Sequence, residues 1–261
     1  MAWITLRWKS ALLGKQTSAE VLVPDSGPGP FPVLYLLHGL SDDATLWLRR
    51  SRIESYVLGL PVIVVMPDGY RSFYTDHVQG PPFARHYGEE LPDLVERLLP
   101  AGRTRESRAV GGLSMGGYGA LRIGLGYADR FGSIHCHSGA VGWGGHDGVD
   151  AYRAAARDRG WTDAFVDEML RIFGPSPAGT PHDVVHLAQV AMRAGNLPRL
   201  WLDCGTEDFL IGDNRRLHHT FEASGVAHRY HEFPGAHTWD YWDLHVRDAL
   251  AFHCEGWGIS R

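Results

Sequence analysis

The 261-residue sequence has a length that one α/β domain commonly reaches, and its 44% hydrophobic, 21% charged and 11% aromatic residues exclude a disordered or fibrous chain. A formal net charge of −5 without a basic run excludes the positive stripe that binds a nucleic-acid backbone, so no nucleic-acid partner is expected. The longest apolar stretches, Val33 to Leu37 and Leu58 to Met66, fall well short of the roughly 20 residues that cross a bilayer, which excludes a membrane-spanning helix.

The opening MAWITLRWKS places Arg7 and Lys9 after its apolar residues and has no continuous apolar core or small-residue cleavage site. No secretory leader is read there, and a cytoplasmic location is expected. Residues Ile4 to Lys9 and Ser18 to Val23 alternate in polarity as strands do, which predicts an antiparallel opening. The Pro/Gly-rich stretch Pro24 to Pro32 reads as a surface loop. From Val33 the pattern changes to short unbroken apolar runs, VLYLL, VIVVM and AVGGL, followed by Ser133 to His137 and Arg199 to Cys204. Such runs suit parallel strands covered on both faces. Helical stretches lie between and after them at Leu91 to Leu99, Gly116 to Leu125, Asn214 to Ala223 and Trp239 to Phe252.

The predicted fold is therefore one α/β domain over residues 1–261, with a mostly parallel central sheet and helices on both faces. Residues 141–197, rich in Gly, Pro and Trp and without a convincing strand, are expected to form a helical or irregular cap-like insertion over the strand ends. Three cysteines, Cys136, Cys204 and Cys254, lack CxxC spacing and sit in apolar contexts that suit buried thiols rather than a disulfide framework.

Gly112-Leu113-Ser114-Met115-Gly116 matches G-x-S-x-G, in which a strand turns sharply into a helix and exposes a serine hydroxyl. Small residues are needed two before and two after because the turn brings those positions close together. The match is common by chance, but Ala109-Val110-Gly111 before it is strand-like and the stretch after it is helical, which is the context an elbow requires.

A serine hydroxyl needs a base to take its proton. Among fifteen histidines, His237 follows the strand-like run His228 to Phe233 and Pro234-Gly235, at a strand carboxyl end, where open α/β sheets place their sites. His231 falls within that strand, and His245 and His253 within the last helix. The acid should lie between serine and histidine in chain order, just past a strand end, which selects Asp208 with Glu207 second. Two backbone amides must meet the developing oxyanion: Met115, after the nucleophile, and Leu40, after the strand ending His38-Gly39, where Gly39 would permit an unusual backbone.

Other patterns have blander readings. His182 and His186 share helical i, i+4 spacing but lack H-E-x-x-H, so a surface helix is expected rather than a metal site. His135 and His137 share one strand face, with Cys136 on the other, and read as packing. Trp239, Tyr241 and Trp242 read as core, with a place beside the pocket open to them.

The runs LYLLHGLSDDATLW (Leu34 to Trp47), VVMPDGYRSFYTD (Val64 to Asp76), GGLSMGGYGAL (Gly111 to Leu121), CGTEDFL (Cys204 to Leu210) and GAHTWDYWD (Gly235 to Asp243) resemble the esterase D-like branch of the α/β-hydrolases. That branch includes tributyrin esterases, feruloyl esterases, S-formylglutathione hydrolases and mycolyltransferases, and the tributyrin type is nearest in look. The resemblance implies an α/β-hydrolase fold, a triad of Ser114, Asp208 and His237, oxyanion amides at Leu40 and Met115, and hydrolysis of short-chain esters without metal or organic cofactor. It also leaves a feruloyl or acetyl esterase of plant polysaccharides open, and a homo-oligomer. S-formylglutathione hydrolases carry a cysteine shortly after the oxyanion-loop glycine; Leu40-Ser41-Asp42-Asp43 departs from that and points away from the glutathione thioester. Outside enzymes, the rival is a binding protein that kept the fold without activity.

Overall fold

The computed structural model describes residues 1–260. The chain opens with β1 (Ala2–Lys9) and β2 (Gln16–Val23), which pair antiparallel, and continues with β3 (Val33–Leu37), α1 (Leu46–Arg50), α2 (Ile53–Val57) and β4 (Ile63–Pro67). Then come α3 (Phe83–Arg85), a π-helical turn at His86–Glu90, α4 (Leu91–Leu98), β5 (Arg108–Leu113), α5 (Met115–Gly126) and β6 (Ser133–His137). Residues 141–197 hold α6 (Val149–Asp158), α7 (Asp163–Phe173) and α8 (Val184–Arg193); β7 (Arg199–Gly205), α9 (Ile211–Ala223), β8 (Arg229–Phe233) and α10 (Trp239–Trp257) complete the fold.

The eight strands form one sheet in the order β1-β2-β4-β3-β5-β6-β7-β8. Pairing is antiparallel for β1 with β2 and β2 with β4, and parallel for every later neighbour. Burial follows the sequence pattern. The unbroken apolar runs of β3, β4 and β5 are buried along their whole length, whereas the alternating β1, at the sheet edge, keeps every second residue largely exposed.

Helix α5 is buried from Met115 to Leu125, and its glycines let it lie close against β5 and β6. Its N-terminus therefore lies at the carboxyl end of the central strands. A second apolar layer on the opposite face joins Trp47, Ile53, Val57, Val246 and Leu250 under β3 and β4. Trp47 is fully buried and its indole N–H donates to the Leu37 carbonyl at 3.1 Å, tying α1 to the end of β3; truncation to alanine would cost about 3–5 kcal/mol.

The pair His182 and His186 is not one helical face. Asp183 caps α8, its side chain accepting from the amides of Val185 and His186, so the helix starts after His182. His182 turns inward instead: it is buried, with Nδ1 2.9 Å from Thr75 Oγ1.

Candidate active site

Ser114 sits between β5 and α5 with φ 54° and ψ −117°, a left-handed backbone that a side chain other than glycine rarely adopts. Strain of this kind costs about 1–3 kcal/mol and persists only where the surroundings over-determine it. Here the Ser114 amide donates to the His137 carbonyl at 2.9 Å, and its own carbonyl accepts from Tyr118 at 3.1 Å and Ala140 at 3.0 Å. The turn is tight enough that a Cβ on Gly112 would lie 2.8 Å from the Gly116 backbone and 2.5 Å from the Leu37 carbonyl, which accounts for the small residues flanking the serine.

The serine, histidine and acid expected from sequence meet at the carboxyl ends of β5, β8 and β7. His237 Nε2 stands 3.0 Å from Ser114 Oγ, and His237 Nδ1 stands 2.8 Å from Asp208 Oδ2. Asp208 is buried, and its second oxygen accepts from the Leu210 amide at 2.8 Å. With the carboxylate accepting at Nδ1–H, the imidazole presents a lone pair at Nε2 to the serine. Glu207, the second candidate acid, points away: it is exposed and accepts from Thr206 Oγ1 at 2.8 Å and from the Gly235 amide, so it ties the turn after β7 to the loop that carries His237.

Leu40 and Met115 both border the cavity beside Ser114, and among the described residues the amide of neither donates to another backbone carbonyl. The Met115 amide is the first of α5 and carries the positive end of the helix dipole. The Leu40 loop is fixed from below. The Gly69 amide donates to His38 Nε2 at 2.7 Å, which leaves the proton on Nδ1 to donate to the Gly39 carbonyl at 2.8 Å, and Tyr74 donates its hydroxyl to the His38 carbonyl at 3.1 Å. The left-handed residue in this loop is Ser41, at φ 72°, rather than Gly39. A Cβ on Gly39 would meet Leu113 Cδ1 at 2.7 Å, so a larger residue there would have to push the Leu113 side chain aside.

Ser114 opens onto a cavity of about 420 Å³. Its walls are aromatic: Trp143, Trp161 and Phe165 from residues 141–197, Phe209 from the turn after β7, and Phe73. Trp143 stacks on Trp161 with ring centroids 5.1 Å apart, and Phe209 lies 4.5 Å from the His237 ring. At the rim Arg71 makes a bidentate ion pair with Glu168 of α7, at 2.7 and 2.6 Å, and donates to Ser41 Oγ at 3.2 Å. Sequence reasoning singled out none of these residues, because their spacing in the chain carries no sign that they share one cavity.

A second missed residue is Asp203, fully buried in β7. It accepts from His137 Nδ1 at 2.7 Å, Trp201 Nε1 at 2.7 Å and Tyr241 Oη at 2.9 Å. Burial, reinforced by the Asp203 charge, pushes the Tyr241 hydroxyl far above the ordinary tyrosine range. Its signal in the sequence was an acid inside an otherwise apolar strand, LWLDC. His135 lies beside His137, ring centroids 4.7 Å apart, as a buried ring whose pKa burial holds well below the histidine value, Nδ1 2.8 Å from His253 Nε2. Trp239, Tyr241 and Trp242 fill the layer under this network, and Trp242 also touches His237.

Comparison with known proteins agrees with this architecture. The family model described as "Putative esterase" matches residues 10–253. An acetyl esterase of Caldicellulosiruptor saccharolyticus is 30% identical over 96% of this chain and 97% of its own length. A substrate-bound fluorophosphonate-binding serine hydrolase of Staphylococcus aureus superimposes with a TM-score of 0.82 at 27% identity, covering 97% of this chain and 98% of that one. An S-formylglutathione hydrolase from the same organism gives a TM-score of 0.82 at 28% identity, with the same coverage.

Proposed function

Since the chain belongs to the esterase family and is a serine ester hydrolase, we propose that it cleaves short-chain carboxylic esters through an acyl-enzyme on Ser114, with His237 as general base and acid and Asp208 as its orienting carboxylate. The observation that carries this reading is the unbroken hydrogen-bonded path from Asp208 through His237 to a serine on a strained elbow.

Ser114 Oγ attacks the ester carbonyl while His237 Nε2 takes its proton; the tetrahedral oxyanion is met by the amides of Leu40 and Met115. Collapse expels the alcohol, which leaves with the proton from His237. Water enters, gives its proton to the same nitrogen and attacks the acyl carbonyl, and the acid departs as Ser114 regains its hydrogen. Asp208 accepts Nδ1–H throughout and stabilises the transient imidazolium without taking its proton. No step calls on a group beyond these residues and water.

Residues 141–197 act in this proposal as a cap whose aromatic side chains close the acyl side of the cavity and limit acyl length. The near full-length likeness to an acetyl esterase supports a short acyl group, and the aromatic walls keep hydroxycinnamoyl esters in the substrate panel. A cytoplasmic location belongs to the same proposal, supported by three cysteines that all sit as buried thiols. No helix among the described residues is long and apolar enough to cross a membrane.

Hydrolysis of p-nitrophenyl esters from acetate to palmitate, alongside methyl ferulate and S-formylglutathione, tests the reading. A short-chain optimum that falls by about 10⁴-fold or more in Ser114→Ala, with loss of fluorophosphonate labelling, is expected. Equal labelling of wild type and Ser114→Ala would remove Ser114 as nucleophile, and a preference for S-formylglutathione would replace the ester by the thioester.

A further inference from the structure

On the outer surface, away from the catalytic cavity, α9 and the segment entering β8 bring four polar side chains together. His228 Nδ1 lies 2.7 Å from the Val226 carbonyl and must donate to it, which leaves Nε2 as a lone pair. His218 Nδ1 stands 2.8 Å from that lone pair and therefore donates in turn. The chain of tautomers ends with His218 Nε2 unprotonated and facing Glu222 Oε2 at 3.4 Å. His219 Nδ1 lies 3.4 Å from the same oxygen.

In this tautomer His218 Nε2 and the Glu222 carboxylate face each other as two acceptors. Stacking on Tyr230, with ring centroids 4.2 Å apart and planes 13° from parallel, keeps the ring from swinging away. A cation between the two satisfies both acceptors at once.

The spacing suits one. A first-row divalent ion with nitrogen and oxygen ligands at ~2.1 Å sets the edges of its tetrahedron at about 3.4 Å. The two His–Glu separations are 3.4 Å, and all three ligand atoms lie within 4.8 Å of one another. Positions 218, 219 and 222 converge because i, i+3 and i, i+4 share a helix face. We propose that His218, His219 and Glu222, with His228 behind them, form a surface site for a borderline divalent cation of the zinc class.

Imidazole and carboxylate donors select Zn²⁺, Co²⁺, Ni²⁺ or Cu²⁺ over Mg²⁺ or Ca²⁺. His228 acts from the outer shell, fixing the tautomer of His218 as hydrogen-bonded partners of metal-binding histidines do. None of the four residues lines the cavity beside Ser114, so the ion has no part in ester chemistry. Its three ligands all lie on α9, and the His218–His228 hydrogen bond links it to the residue before β8.

The test uses full-length, tag-free protein stripped with a chelator, titrated with Co²⁺ by visible absorption and with Zn²⁺ against a chromophoric chelator. Binding of about one equivalent is expected, with affinity reduced at least tenfold in His219→Ala and in Glu222→Gln and by about tenfold in His228→Ala. All three variants should keep wild-type ester hydrolysis, which also shows that they fold. Absence of saturable binding in the wild type, or wild-type affinity in the His219→Ala/Glu222→Gln double variant, would overturn the site.

Discussion

The indole of Trp242 stands edge-on to the imidazole of His237, ring centroids 4.8 Å apart with planes at 90°, while its Nε1–H donates to Ser138 Oγ at 3.2 Å. The hydrogen bond fixes the indole, and the indole leaves the imidazole little room to rotate away from Ser114. Trp242→Phe, which keeps an aromatic edge but loses the donor, should lower kcat by about tenfold with little change in KM. Trp242→Ala should also lose about 3–5 kcal/mol of stability in urea unfolding. Wild-type kcat in a folded Trp242→Ala protein would show that His237 needs no such wall.

Asp208 and Glu207 are neighbours with opposite surroundings, one buried against His237 and the other exposed on the turn. Asp208→Asn should reduce kcat by about 10³–10⁴-fold because an amide favours the wrong imidazole tautomer. Glu207→Gln should stay within about threefold, its loss being a surface hydrogen bond to the Gly235 amide. Steady-state kinetics of the two variants side by side distinguish them, and a larger loss at Glu207 would reverse the assignment.

The ion pair of Arg71 with Glu168 joins the loop after β4 to α7 across the cavity rim. Glu168→Ala should loosen that rim and raise the ratio of octanoate to acetate hydrolysis several-fold, with acetate kcat changed by less than about threefold. Comparison of kcat/KM across the p-nitrophenyl series reads it. An unchanged chain-length profile would mean that the pair has no part in acyl selection.

His182, buried beside Thr75 and near Arg122, has its pKa lowered from 6.5 to about 4, first by burial and then by the Arg122 charge. The unfolded chain therefore binds the proton first, and stability is lost as pH falls from 6.5 toward 4. His253, lowered to about 3 by burial, adds to the same trend. Glu232 acts lower: its pKa of about 2, set chiefly by the Arg215 hydrogen bond, removes stability only as pH falls below about 4.5. Urea midpoints at pH 7, 6 and 5 should fall steadily in the wild type and less steeply in His182→Gln, by up to about one proton. Parallel slopes would show that His182 is not buried as a neutral ring.

Much of the fold and the meeting of Ser114, His237 and Asp208 was legible because the code for each is local. Unbroken apolar runs mark strands covered on both faces, and G-x-S-x-G marks a turn whose backbone leaves no room for larger neighbours. His237 and Asp208 could be selected from fifteen histidines and thirty acids because catalytic groups in such sheets stand just past strand carboxyl ends, a position visible in one dimension. His182 departs from expectation for a local reason as well: i, i+4 spacing suggests a helix, but the Asp183 cap starts it at Val184, two residues later.

By itself, then, the order of residues determined the α/β alternation, the antiparallel opening, the serine elbow and the chain order of its partners. Tertiary structure alone decided what surrounds them: the wall of Trp143, Trp161, Phe165 and Phe209, the rim pair Arg71–Glu168, the buried Asp203 network and the hydrogen bond of His218 to His228. These groupings join residues far apart in the chain, or side chains whose tautomers are set across the space between α9 and β8. Periodicity reports which face of one element is apolar; it holds no information on which other element meets that face, because that choice follows from packing the whole sheet at once.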